Sequence, residues 1–250
     1  MEKKKYALIT GASRGIGKAI AIQLAKDGFH LLLHYNKNLE QIQGVQREID
    51  NIGSQSVLFQ GDFNTTAGIQ MIFDSVADHL AQTGTLLHTI VHNAGHAMSS
   101  GFGEADFEEF DRLFNANVKA PYFITQALIE KVEDHGRIIS ISSGVTRIAF
   151  PHMMLYSMTK GAINTMTFTL AKEVGKRGIT VNSVMPGIID TDSTASWLHT
   201  IEGQKNAADM SALGREGQPE EIAQTVSFLA SEQASFITGH NLDATGGSHL

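Results

Sequence analysis

The sequence predicts a doubly wound α/β fold, a parallel sheet with helices on both faces, and three observations carry that prediction. Short apolar runs alternate with longer amphipathic segments from one end of the chain to the other, the pattern of repeated β-α-β units. The first apolar run leads into a glycine cluster and then a helical pattern. No low-complexity tract or change of composition marks a linker, and 250 residues at 42% hydrophobic content suffice for one full core. A single domain over 1–250 is therefore expected.

The first strand is read at 6–10, followed by the glycine turn and a helix over 18–27. A second strand at 30–35, a helix at 39–52 and a third strand at 56–60 follow. Apolar positions at helical spacing cover 66–83, and a fourth strand is read at 89–92. One long helix, straight or kinked by Pro121, is expected over 107–131. A fifth strand at 137–142, a helix at 156–174 and a sixth strand at 179–185 complete the rhythm, and a proline-entered helix covers 219–230. The stretch 190–217 breaks this order: it is polar, irregular in pattern and holds the only tryptophan, Trp197. A long insert of this kind in a compact fold predicts a lid over a substrate.

Composition narrows the function. A net charge of −7 with 18% charged residues gives no nucleic-acid footprint. The absence of cysteine excludes disulfides, thiolate metal sites and cysteine nucleophiles, and no metal is expected. No stretch approaches the ~20 apolar residues of a membrane span, and the basic start at 1–5 is not followed by an apolar run of signal-peptide length. A cytoplasmic protein without membrane or nucleic-acid partners is expected.

Thr10-Gly11-Ala12-Ser13-Arg14-Gly15-Ile16-Gly17 joins the first strand to the first helix. Glycines let the backbone turn tightly and approach a pyrophosphate, which a helix N-terminus then stabilises. The spacing is G-x-x-x-G-x-G, and a plain strand-to-helix turn is the competing reading. The second strand ends His34-Tyr35-Asn36-Lys37, with no carboxylate before Glu40. A carboxylate there would bind an adenosine ribose and repel a 2′-phosphate; Arg14 and Lys37 instead offer cations for that phosphate. The loop thus favours NADP(H) over NAD(H) in a Rossmann-like fold. Asp62, just past the third strand, is placed to bind an adenine amino group or to cap a turn.

Tyr156 and Lys160 stand four apart, one turn apart on the same helix face. An isolated tyrosine is a poor acid–base group near neutrality, and a nearby cation stabilises its phenolate. Ser143, after the fifth strand, offers a hydroxyl to hold a carbonyl oxygen.

With these residues the chain resembles the short-chain dehydrogenase/reductase family nearly end to end. The resemblance rests on residues 10–17, Gly61-Asp62, Asn93-Ala94-Gly95, Asn117-Val118, Ile141-Ser142-Ser143-Gly144, Tyr156 with Lys160, Val181-Asn182, Pro186-Gly187 and Thr191. It continues through Gly214-Arg215, the run 219–223, Thr238-Gly239 and Gly246-Gly247. It implies Tyr156 as acid–base, Lys160 as its activator and a ribose ligand, Ser143 (with Ser142 the competing hydroxyl) to orient the substrate oxygen, and Asn117 to hold a proton-relaying water. It also implies Asn93, Ala94 and Gly95 in the cofactor cleft, and Ile188 and Thr191, past Pro186-Gly187, at the nicotinamide carboxamide. Two departures are visible: His92 where the family often has asparagine, and Ala244-Thr245-Gly246-Gly247 with Asp243 earlier, where the usual ending is Asp-Gly-Gly.

Within the family the chain is most similar to 3-oxoacyl-acyl-carrier-protein reductases, which are homotetramers that reduce a β-keto thioester. Their basic carrier-docking surface looks kept at Arg177, yet Glu130, Glu133 and Asp134 make the neighbouring edge acidic. Met98, Phe150, Met153, Met154, Met185, Trp197 and Met210 are candidate pocket-wall residues, with His96 and His152 as candidate polar contacts. An NADPH-dependent reductase of a ketone or 3-oxoacyl thioester is expected. The alternatives are an NAD(P)-dependent alcohol dehydrogenase acting on a small secondary alcohol, an enoyl reductase, against which the Tyr-to-Lys spacing argues, and a non-catalytic NADP(H) sensor.

Overall fold

The computed structural model describes residues 4–97 and 100–249. Seven strands, β1 (Lys5–Ile9), β2 (Phe29–Tyr35), β3 (Ser56–Gln60), β4 (Leu87–His92), β5 (Val132–Ile141), β6 (Thr180–Pro186) and β7 (His240–Ala244), form one sheet in the order β3-β2-β1-β4-β5-β6-β7. Every neighbouring pair is parallel. Parallel strands need both faces covered, and every residue of β2, β4 and β6 is buried.

Side-chain alternation along the strands sends successive residues to opposite faces. Ile9, Leu31, Leu33, Val91 and Ile139 pack against Ile20 and Leu24 of α1 (Gly15–Lys26), Ile42 and Ile49 of α2 (Leu39–Ile52), and Ile222 and Val226 of α9 (Pro219–Ala230). Leu8, Leu32, Ile90 and Ile138 face Ile72 and Val76 of α3 (Thr66–Thr83), Ile124 and Leu128 of α5 (Ala120–Leu128), and Val174 of α6 (Met154–Val174). Each such buried aliphatic side chain contributes about 1.5–3 kcal/mol. Helix ends follow local chemistry. Asn38 and Thr65 cap α2 and α3, and Gly53 and Gly84 end them in the left-handed region.

The span 107–131 is more structured than one kinked helix. α4 (Phe107–Phe114) runs into a π turn, Asn115–Lys119, before α5 begins. The N–H of Ala120 donates to the Asn115 carbonyl, five residues back. In a regular helix the ring of Pro121 would press on the carbonyl four residues back, that of Asn117. The extra residue in the turn relieves that clash. Such turns often mark functional positions.

The segment 190–217 is not irregular: it holds α7 (Ala195–Leu198) and α8 (Ile201–Met210), the latter capped by Thr200. It leaves and returns at one point, where Asp190 N donates to Gly217 O at 2.9 Å and Gly217 N to Ile188 O at 2.9 Å. Its far end is joined to the tail, with Ala212 N donating to Gly247 O and Leu213 N to Gly246 O. β7 was not expected; it is a polar edge strand in which only Leu242 and Ala244 reach the core. β5 begins earlier than expected, and its pairing with β4 shifts register near His135, whose φ is 64°.

Candidate active site

A crevice opens beyond the C-terminal ends of β1 and β4, where the strand order reverses, the usual ligand position in open α/β sheets. Of the residues anticipated from sequence, Gly11, Arg14, Gly15, Ile16, Gly17, Asn93, Ala94, Gly95, Ser143, Tyr156, Lys160, Pro186, Gly187 and Thr191 line it. Ser142, the competing hydroxyl, and His96, a candidate polar contact, line it as well, together with Ala97, Ile141, Ile189, Asp192, Ser193 and Thr194, which the sequence does not mark as cleft residues. Ser13, Asn36, Lys37, Asp62, Asn117 and Ile188 stand outside that lining. Ile188 gives its carbonyl to Gly217, and buried Ile189 lines the wall.

The glycine loop is held across the reversal point. Asn93 Nδ2 donates to the carbonyls of Thr10 and Gly11 at 3.0 Å each, and Thr10 Oγ1 accepts from the N–H of Asn93 and of Ala94 at 3.0 Å. A Cβ on Gly17 would overlap both the Gly11 carbonyl and the Asn93 amide, so only glycine permits this approach. α1 opens at Gly15 with no side-chain cap and no acidic residue in its first turn. Its leading N–H groups and positive dipole end suit a phosphate. The loop therefore fits a pyrophosphate-bearing ligand.

At the other end of the crevice, α6 carries Tyr156 and Lys160 on one face. Lys160 Nζ donates to the Ile141 carbonyl at 2.7 Å and lies 5.6 Å from the centre of the Tyr156 ring. Burial lowers the lysine pKa to about 8. Burial pushes the Tyr156 phenol up to about 12, while a hydrogen bond with Ser143 pulls the other way. The sequence predicts that Lys160 draws the phenol down; in this geometry burial is the largest influence and acts the other way. Tyr156 thus keeps its proton through the neutral range, as a proton donor must.

The two candidate serines separate cleanly. Ser142 Oγ donates to Asn164 Oδ1 at 2.6 Å, tying β5 to α6. Ser143 Oγ is the one that meets Tyr156. Asn117, on the π turn, is fully buried. Its Oδ1 accepts from His96 N at 2.8 Å, and its Nδ2 donates to His96 O at 2.9 Å and Thr159 Oγ1 at 3.0 Å. The amide is thereby committed to clamping the loop after β4 onto α6. The carbonyl of Asn117 has no N–H partner at Pro121, four residues on.

Beyond the ends of β2 and β3, Asn36 Nδ2 donates to Asp62 Oδ1 at 3.1 Å, and Asn64 donates to the same oxygen from its main chain at 3.0 Å and its side chain at 2.7 Å. Arg14 and Lys37 are exposed, and Ser13 is half-buried in the loop.

Among the candidate wall residues, Met98 lies outside the described residues. Met154 lines an adjoining groove with Phe102, Phe107 and Phe110. Met185 is buried, its sulfur accepting from Thr146 Oγ1, and Trp197 is partly exposed on α7. His152 is exposed, and His92 is buried against Thr125 Oγ1 at 2.7 Å. Arg177 is tied down: Nε donates to Asp134 at 2.9 Å, and its other nitrogens donate to the carbonyls of Ile129 and Val132. Val132 opens β5, at the opposite end of that strand from Ser143. Among the described residues no group of three or more His, Asp or Glu is arranged to hold a metal, and no helix is long and apolar enough to cross a membrane.

Comparison with known proteins gives a consistent picture. A family model described as enoyl-(acyl carrier protein) reductase matches residues 11–249. An uncharacterized oxidoreductase of Methylorubrum extorquens is 36% identical over 248 residues, covering 97% of each chain. A hydroxynaphthalene reductase-like protein of Metarhizium brunneum is 34% identical, covering 98% of this chain and 94% of the relative. The angucycline C-6 ketoreductase LanV, solved with bound NADP, superposes with a TM-score of 0.92 at 37% identity, covering 97% of this chain and 95% of that one. The same enzyme has also been solved with NADP and rabelomycin, superposing at 0.88 with the same identity and coverage.

Proposed function

The chain belongs to the short-chain dehydrogenase/reductase family of oxidoreductases, and from that premise we propose that it is an NADPH-dependent ketoreductase acting on a cyclic, aromatic-fused ketone. The observation that carries the reading is the half-buried Tyr156 meeting Ser143 in the same crevice as a phosphate-fitting loop.

The cofactor, when bound, supplies the hydride. Gly11, Ser13, Gly15, Ile16 and Gly17 would hold its pyrophosphate on the start of α1, and Arg14, Asn36 and Lys37 its 2′-phosphate. Asp62 would take the adenine amino group, with Asn93, Ala94 and Gly95 beside the adenosine. Lys160 and Tyr156 would hold the nicotinamide ribose, and Pro186, Gly187, Ile188 and Thr191 the carboxamide.

Ser143 orients the carbonyl oxygen, and Tyr156 gives that oxygen the proton held on its own hydroxyl. Lys160 keeps the surroundings of the phenol positive as the proton leaves, which lowers the energy of the developing phenolate. Asn117 supports the arrangement through its clamp on His96 and Thr159, and its main-chain carbonyl offers the acceptor for a relaying water. The segment 190–217, whose Thr191 and Thr194 line the crevice, acts as the substrate lid.

The relatives favour the substrate class: one is named for hydroxynaphthalene reduction, and LanV is an angucycline ketoreductase solved with rabelomycin. The apolar groove of Phe102, Phe107, Phe110 and Met154 suits flat rings. A 3-oxoacyl thioester is the second reading, on the resemblance that also suggests a cytoplasmic homotetramer. Delivery by an acidic carrier is disfavoured, because Arg177 is already held by Asp134 and two carbonyls.

Oxidation of NADPH and NADH should be followed with a bicyclic ketone, a free 3-oxoacyl thioester, its carrier-bound form and an enoyl thioester. NADPH with the bicyclic ketone is expected to give the highest kcat/KM. A hundredfold preference for the carrier-bound thioester, about 2.7 kcal/mol of transition-state binding, would replace this reading with fatty-acid synthesis. Turnover of the enoyl thioester alone would establish C=C reduction.

A further inference from the structure

We propose that His34, near the end of β2, is the positioning residue of the phosphate-binding loop, setting the Gly11 peptide through the unprotonated Nδ1 of its ring. The inference rests on the cofactor site proposed above and concerns a residue outside it. His34 is 2% exposed. Its Nδ1 accepts from the N–H of Gly11 at 3.1 Å, and its Nε2 lies 3.0 Å from the Gly61 carbonyl. Its own main-chain carbonyl accepts from Ala12 N at 3.0 Å. Two successive N–H groups of the loop thus end on one residue, and the ring bridges onward to the residue before Asp62. Phe63 stacks on the imidazole, with ring centres 4.0 Å apart and planes 6° from parallel.

These partners select one form of the ring. The Gly11 N–H needs a bare nitrogen, and the Gly61 carbonyl needs an N–H, so the proton sits on Nε2 and Nδ1 stays free. Burial, opposed by the Gly61 hydrogen bond and the nearby Asp62 carboxylate, lowers the imidazole pKa to about 4, so the neutral form prevails at ordinary pH. Gly11 has a φ of 68°, and Asn93 Nδ2 donates to the carbonyls of both Thr10 and Gly11. The Thr10–Gly11 peptide is therefore held by His34 of β2 at its N–H and by Asn93, the residue after β4, at its carbonyl. Loss of either hold frees the loop that must meet a pyrophosphate.

Asparagine and glutamine separate this role from simple packing. In His34→Asn an amide oxygen falls near the Nδ1 position, whereas in His34→Gln the longer amide reaches the Nε2 position and leaves the Gly11 N–H without an acceptor. NADPH affinity should be measured by fluorescence titration, with melting temperature alongside, for the unaltered protein and for His34→Asn, His34→Gln and His34→Leu. His34→Leu and His34→Gln are expected to weaken NADPH about tenfold, as for one buried hydrogen bond lost, with KM for NADPH rising more than kcat falls. His34→Asn should recover most of the affinity. Equal affinity in His34→Gln and His34→Asn, or unchanged affinity in His34→Leu, would overturn the proposal while leaving the cofactor site intact. If the unaltered protein fails to bind NADPH, both readings fall together. Should His34→Leu not fold, the Asn-to-Gln contrast alone decides.

Discussion

The two ends of the crevice are built differently. At the reacting end Asn117, Ser143 and Lys160 are all buried, and the first and last have their polar atoms committed to neighbours on other elements. At the end proposed to take adenosine the two cations, Arg14 and Lys37, stand in solvent. The difference separates what the fold holds rigid from what it leaves adjustable. On the proposed reading, the chemistry would rest on groups locked by α6, β5 and the π turn, and the choice of cofactor on exposed charges that can change without disturbing the core.

The largest effect expected from this contrast is at Tyr156. Tyr156→Phe should lower kcat by roughly 10²-fold or more, the range of one acid–base group, with a much smaller change in NADPH affinity. Single-turnover reduction of a good ketone at saturating NADPH measures it, and near-normal turnover would sink the assigned role.

Lys160 should give an intermediate effect through pH. Its pKa is lowered to about 8, so it is a cation below that value and neutral above it. NADPH affinity of the free protein should weaken as pH rises through about 8, by up to about tenfold per unit where the charge is required. Titrations from pH 7 to about pH 9.5 should show this bend, and Lys160→Met should lack it. A bend that persists in the variant would belong to another group.

Smallest are the exposed cations. Arg14→Ala and Lys37→Ala should each weaken NADPH by about fivefold, near the upper limit for a solvent-exposed ion pair, and NADH far less. The loss should shrink as salt is added. Equal losses for the two cofactors would show that neither residue reads the 2′-phosphate.

The same contrast explains what was legible in the sequence. β1, β2, β4 and β6 lie inside the sheet with both faces covered, and their apolar cores, Ala7–Ile9, Leu31–Leu33, Ile90 with Val91, and Val181 with Val184 and Met185, make all four readable. β7 was not, because an edge strand reading His-Asn-Leu-Asp-Ala presents little apolar pattern; the flanking Gly239 and Gly246 were the available signal. α7 and α8 were hidden by their shortness and polarity, although Thr200 three residues before Gly203 marks a cap. Pro121 announced a disturbance in its helix, but a π turn depends on which hydrogen bonds the backbone can still make. Tyr156 and Lys160 were readable from helical spacing. His34 was not: its ring partners, Gly11 and Gly61, lie 23 and 27 residues away, and a histidine in an apolar strand carries no mark of that. That Ile189 lines the wall depends on turn geometry after Gly187, which spacing alone does not resolve.

Trp197 is the only tryptophan in the chain, and it sits 40% exposed on α7 within the segment that arches from β6 to α9. Excited at wavelengths where the four tyrosines absorb little, the protein emits from that segment alone. The colour of the emission reports how wet the indole is. Reduced nicotinamide absorbs where indole emits, so quenching would report its approach to the arch. The molecule thus carries its own optical probe in the part proposed to move, with no label attached.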